Sequence, residues 1–364
     1  MKIWTIFFIL LNTIAIFGQK ESFFWYFGDR AGIAFDTPTL NPRVLTDSKL
    51  STLEGCATIS TPQGNLLFYT DGVSIWNNKH NVINPNEQML GHYSSTQSAV
   101  IVRKPGMGSL YYIFTTDAAE YINPPNDGLH YTIVDVAAND SNMSVVEINK
   151  FLHKPMTEKL TYTYHKNGID FWIIAHESKT KTFYSYLLTS SGITDTVISS
   201  VGSIHDGDFI NSIGYMKVSP LRDKLALSVF AENLDSAYTE IFKFDNETGI
   251  IYEPIKIDLY RKRPYGIEFS QNGKYLYVGE TSNSIAQYDL RDYQLSKILS
   301  SRVLIETKFE QGHLGALQIA PDGKIYIVAK DRKLLSAIRK PNLKAPACDY
   351  NRDEITLSTG TCTS

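Results

Sequence analysis

Six times along the 364-residue chain, a turn rich in Pro, Asn, Asp or Gly runs directly into a short apolar strand. The fullest copy is residues 58–77, TISTPQGNLLFYTDGVSIWN. Ala57 to Ser60 reads as a buried strand, Thr61-Pro62-Gln63-Gly64 as a turn, and Leu66 to Thr70 as a second strand. Asp71-Gly72 is a hairpin, and residues 73–77 run back as a third strand. Pro presets one φ angle of such a turn and Gly accepts a positive one, while Asp-Gly suits a two-residue hairpin. A small antiparallel sheet cannot bury both faces alone, so the unit must stack against copies of itself.

The copies are legible. Residues 270–278 and 320–328 repeat the turn and second strand. In residues 219–227 the turn reads as lengthened, with its Gly lost. Residues 105–111 and 166–172 are weaker versions. The turn positions 64, 108, 168, 223, 273 and 323 lie roughly 45–60 residues apart, the period of propeller blades. Third strands follow at 129–136, 183–188, 239–245, 284–290 and 334–338, with alternating polarity in Ile241-Phe242-Lys243-Phe244-Asp245. No stretch beyond the leader keeps apolar residues at helical spacing for three turns.

The expected fold is therefore all-β, a seven-bladed β-propeller. The two strands at 23–28 and 32–35 and the segment after Pro346 are expected to share the seventh blade and close the ring. Six closed blades with an N-terminal appendage is the alternative.

Residues 1–18 carry one basic residue and about fifteen mostly apolar ones, too short for a membrane span of about twenty. They read as a signal peptide cleaved before Gln19, with a retained anchor as the alternative. Residues 19–364 then form a single exported domain, in the periplasm, on the cell surface or outside the cell, with no membrane insertion after cleavage. The formal charge of −3 and the interspersed signs exclude a nucleic-acid partner. The basic run Arg261-Lys262-Arg263 reads as a solvated loop. Of the three cysteines, Cys56 reads as a small buried hydrophobe. Cys348 and Cys362 flank a polar C-terminal segment, and either form a disulfide or stay apart.

No recognised nucleotide, hydrolase, zincin or EF-hand motif occurs, so no catalytic or metal-binding residue is assigned. Loops entering the innermost strands of a propeller gather with the loops between second and third strands around one mouth of the channel. The first set supplies Glu54, Gln97, Glu158, Lys159, Asn211, Tyr265 and His313. The second supplies Asp71, Asp117, Glu177, Glu232, Glu280 and Asp331. Convergent polar residues at a concave mouth suggest a ligand site; polar loops that merely solvate a rim are the plainer reading. No cofactor is required, although converging carboxylates could take Ca²⁺.

The motifs FWYFG at 24–28, EGCATIS at 54–60, GNLLFYTDG at 64–72, GHYSSTQS at 91–98, TEKL at 157–160 and GALQ at 315–318 carry a resemblance. Over about residues 22–350 the chain resembles the N-terminal propeller region of exported Bacteroidetes proteins linked to gliding motility and type IX secretion. That resemblance implies a propeller related to WD-repeat and lactonase-like forms, but no catalytic set. Such proteins continue into a C-terminal sorting domain, a pattern lacking in the residues up to Ser364. The expected function is a non-enzymatic binding or scaffold module with a protein or glycan partner. A metal-assisted hydrolase or lactonase working in the funnel is the rival.

Overall fold

The computed structural model describes residues 20–363, apart from 107, 120–126, 137–142, 206–208, 232–235, 259–262, 281–283 and 307–312. The described strands form seven antiparallel sheets, five of four strands and two of three. The first blade is Phe24–Phe27, Ala31–Phe35 and Pro42–Val44 (β1–β3), and the second Ala57–Ser60, Leu66–Thr70 and Ile75–Asn77 (β4–β6). The third is Ala99–Arg103, Leu110–Thr116, Leu129–Val136 and Met143–His153 (β7–β10). The fourth is Met156–Tyr164, Phe171–Glu177, Thr182–Thr189 and Gly192–Ser200 (β11–β14). The fifth is Met216–Val218, Lys224–Val229, Tyr238–Asp245 and Ile250–Asp258 (β15–β18). The sixth is Pro264–Phe269, Tyr275–Glu280, Ser284–Asp289 and Val303–Glu306 (β19–β22), with the short helix Leu295–Ser300 (α1) before its outer strand. The seventh is Leu314–Ile319, Ile325–Ala329, Leu334–Ile338 and Tyr350–Thr356 (β23–β26). The chain is a seven-bladed β-propeller.

A sheet that is apolar on both faces must be covered on both, and each blade here covers its neighbours. An apolar cluster fills every gap between adjacent blades. Between the fourth and fifth lie Trp172, Phe183, Leu227 and Phe242, and between the fifth and sixth Ile241, Ile267, Leu276 and Tyr288. The gap between the seventh and first blades holds Ile33, Phe35, Tyr326 and Leu335, so side-chain packing closes the ring.

The termini meet, but not in one shared blade. Phe24–Phe27 is itself an inner strand, lying beside β4 with the Tyr26 amide donating to Thr58 Oγ1 at 3.0 Å. No inner strand is missing from the first blade, and β26 instead becomes the outer strand of the seventh. Beyond it, Asp29 and Thr361 exchange two backbone hydrogen bonds of 3.0 Å. The Cys362 amide and carbonyl pair with Arg332 and Asp331 in the seventh blade. The tail therefore clasps two blades without completing either inner edge.

The disulfide does not form either: Cys348 and Cys362 are buried free thiols. Cys348 packs with Tyr277, Ile325 and Ile338, and Cys362 with Ala31, Ile33 and Leu335. They lie on opposite faces of the last blade, so their Cβ atoms cannot approach. Cys56 is half-buried and also free.

The repeated turns share one geometry. The amides of Gly64, Gly168, Gly273 and Gly323 each bond the carbonyl three residues back, and each glycine has a positive φ. The fifth blade keeps the same length of turn: Arg222 donates to Ser219 O at 2.8 Å with φ 61°. Its turn is not lengthened; an arginine occupies the glycine position. In the third blade it is Gly106, not Gly108, that has the positive φ. Of the basic run only Arg263 is described, its guanidinium lying over the Phe230 ring. No helix among the described residues is long and apolar enough to cross a membrane.

Candidate functional site

The inner strands of the blades surround a channel of about 720 Å³. Because these strands run in the same direction, the channel has two chemically different ends. Glu54, Thr96 and Gln97 line the end where β4 and β7 begin; Arg103, Tyr164 and Arg222 line the end where β7 and β11 finish.

At the entry end the structure brings several expected residues together and then occupies them. Glu158 and Lys159 are adjacent in β11 and fully buried. Glu158 accepts from the Thr96 amide at 2.8 Å and hydroxyl at 2.6 Å, and from the Ala119 amide at 2.8 Å. Burial raises its pKa, against those three donors and nearby Lys159. Lys159 Nζ donates to the carbonyls of Ser212 at 2.9 Å, Ile213 at 3.0 Å and Asn211 at 3.4 Å. Burial pushes its pKa down to about 7, with Glu158 pulling it back up. Gln97 reaches across the ring, accepting from the Leu160 and Met216 amides and donating to Met216 O. Tyr215 and Tyr265, in edge-to-face contact, complete this hub, and burial drives both hydroxyl pKa values above the ordinary phenol value. Half-buried Glu54 is close enough to both hydroxyls to raise them further. These groups join the third, fourth, fifth and sixth blades.

The other expected residues are engaged elsewhere, two of the carboxylates by the amides of their own loops. Asp71 accepts from the Val73 and Ser74 amides, and Asp117 from the Ala118 and Asp127 amides. Glu177 pairs with His153 at 3.0 Å, and Glu280 with Arg302 at 2.7 Å. His313 is exposed, its carbonyl accepting from the Lys330 amide. The Asp331 amide holds the C-terminal clasp, and Glu232 lies outside the described residues. A carboxylate beside free turn amides is satisfied locally before it can reach a ligand. Among the described residues, no group of three or more His, Cys, Asp or Glu is placed to hold a metal ion.

Beyond Glu54 and Gln97 at the entry end, the residues that line the channel were not singled out in the sequence. In its middle, Lys217 bonds Gln318 Oε1 at 2.5 Å and lies 3.5 Å from Glu268, which also accepts from the Ile319 amide. Towards the far end, Tyr162 keeps 43% of its surface exposed where it lines the cavity. Tyr164 stacks obliquely on Phe171 at 4.4 Å. The Arg222 guanidinium sits over the Tyr164 ring, 4.9 Å from its centre. Arg103 donates to Gly108 O, while its buried Nε has no hydrogen-bond partner among the described residues. Glu21 lies near Arg103, Tyr162 and Tyr164; burial raises its pKa and Arg103 lowers it. The lost glycine at position 222 was the one sequence signal pointing to this end.

No family model matches the chain, and no curated protein matches it significantly. Among solved structures it is similar to a "putative 6-phosphogluconolactonase" from Bacteroides uniformis, with a TM-score of 0.56 and 11% identity over 92% of this chain and 97% of that one. It is also similar to Kluyveromyces lactis Hsv2 (TM-score 0.46, 10% identity, 87% and 90% covered). A third is the β-propeller domain of Cps50 (Swd1) from Myceliophthora thermophila (TM-score 0.40, 15% identity, 72% and 70% covered). At such identities the likeness is one of fold.

Proposed function

We propose that this chain is an exported, non-catalytic binding propeller that takes a glycan into the far end of its central channel. The supporting observation is the contrast between the two ends. At the entry hub Glu158, Lys159 and Gln97 are committed to joining blades, whereas the far end presents tyrosine rings and two arginines around open space. Flat rings beside hydrogen-bonding groups suit the mixed apolar and polar faces of a sugar. Export rests on the leader at residues 1–18, and an association with gliding motility or type IX secretion on the sequence resemblance. The rival lactonase reading draws on fold likeness alone.

The test uses the secreted form beginning at Gln19. It is screened against a glycan array, and each hit is titrated calorimetrically against native protein, Tyr162→Ala, Tyr164→Ala and the rim variant Glu177→Gln. Binding should be lost in both tyrosine variants and kept in Glu177→Gln. Binding that survives both tyrosine variants, or turnover of sugar lactones, would overturn the reading.

A further inference from the structure

The turn that carries Arg222 departs from its siblings at one position. In four other blades the fourth turn position is glycine with φ between 65° and 91°. Arg222 takes φ 61° in the same hydrogen-bonded turn. For a residue with a Cβ this left-handed conformation is strained. Among the described residues its guanidinium makes no hydrogen bond or ion pair; its contact is the Tyr164 face. The chain thus places a cation where four sibling turns carry glycine, and that cation lines the channel mouth. Glu21, the acidic group at this mouth, is electrostatically engaged with Arg103.

We propose that Arg222 is the anion-recognition residue of the channel, and that the glycan it receives carries carboxylates, as uronic acid residues do. This rests on the glycan reading above and narrows it. Arg222 provides a planar fork of donors for a carboxylate, held on the Tyr164 ring. The tyrosine rings beside it would take the apolar face of the sugar that bears the carboxylate. Strain at the turn is accepted in exchange for a preorganised cation, as at other ligand-holding sites.

The probes are trigalacturonic acid and the neutral trisaccharide cellotriose, titrated into native protein, Arg222→Gly and Arg222→Lys, with melting curves of each. Trigalacturonic acid should bind the native protein and weaken about tenfold or more in Arg222→Gly, the loss expected for one charge-assisted contact. Arg222→Lys should recover part of that affinity, and native binding should fall as salt rises. Arg222→Gly should also melt higher, by about 1–2 °C, because strain is relieved. A lower melting temperature in Arg222→Gly would make the arginine a structural prop and overturn the proposal. If both trisaccharides bind alike to native protein and Arg222→Gly, the anion inference fails while the glycan reading stands. If neither binds, both fall.

Discussion

At the scale of single residues, the buried polar groups show where this ring is vulnerable. His176 and His205 stack at 3.8 Å between ring centres. Both are fully buried or nearly so, and among the described residues their ring nitrogens have no hydrogen-bond partner of good geometry. Burial holds both pKa values well below 6.5, and the nearby Lys159 lowers them further, while the Glu177 backbone pulls His176 the other way. The folded state keeps these rings neutral, whereas the unfolded chain protonates them below about pH 6.5. Stability should therefore be full above that pH and fall as pH drops through and below it, by up to about 1.4 kcal/mol per pH unit for each ring. Urea midpoints from pH 7.5 to 5 check this, and a His176→Leu, His205→Leu double variant should show a flatter profile. A slope identical to the native one would assign the pH effect elsewhere. Glu158 is a second such point. Glu158→Gln should cost about 2–3 kcal/mol, because a buried charge with three donors is replaced by an amide that also presents N–H groups to them. Adding Ca²⁺ or chelator should leave the native melting curve unmoved; a calcium-dependent rise abolished by Glu158→Gln would favour the metal-using rival.

At the scale of the element, the blades and their turns behave as the repeat implies, and the C-terminal clasp does not. Strand positions from the second to the seventh blade follow the repeat closely, because turn chemistry and alternation are local properties. The clasp depends on close backbone approach between distant segments. A Cβ added at Gly360, where φ is 72°, would lie 2.3 Å from the Asp29 carbonyl oxygen. Gly360→Ala should thus destabilise by about 1–3 kcal/mol through strain and the loosened pair of hydrogen bonds. Urea unfolding measures it, and an unchanged midpoint would mean that the clasp contributes nothing to closure.

At the scale of the whole molecule, stability is shared among seven gaps, and the one between the last and first blades joins the two ends of the described chain. Removing residues 350–364 takes away β26 and the buried side chains of Ile355, Leu357 and Cys362. It also leaves β25 (Leu334–Ile338) as an open sheet edge. The truncated protein should melt about 5 °C lower or more and self-associate. A native melting temperature in a monomeric truncation would show that packing of the remaining three strands is enough to close the ring. What the amino-acid sequence determined by itself was the all-β class, the blade period and most strand positions, because a turn followed by an alternating strand is written within about twenty residues. Tertiary structure decided how the ends meet, which thiols are neighbours and which polar groups remain available. Asp71 and Asp117 read like ligands until the amides of their own loops are counted. Tyr162, Tyr164 and Lys217 read like ordinary strand residues until the blades are set around one axis. A channel formed by single strands from separate blades has no local signature; it exists once the ring closes, and the lost glycine at Arg222 was the trace of its far end in the sequence.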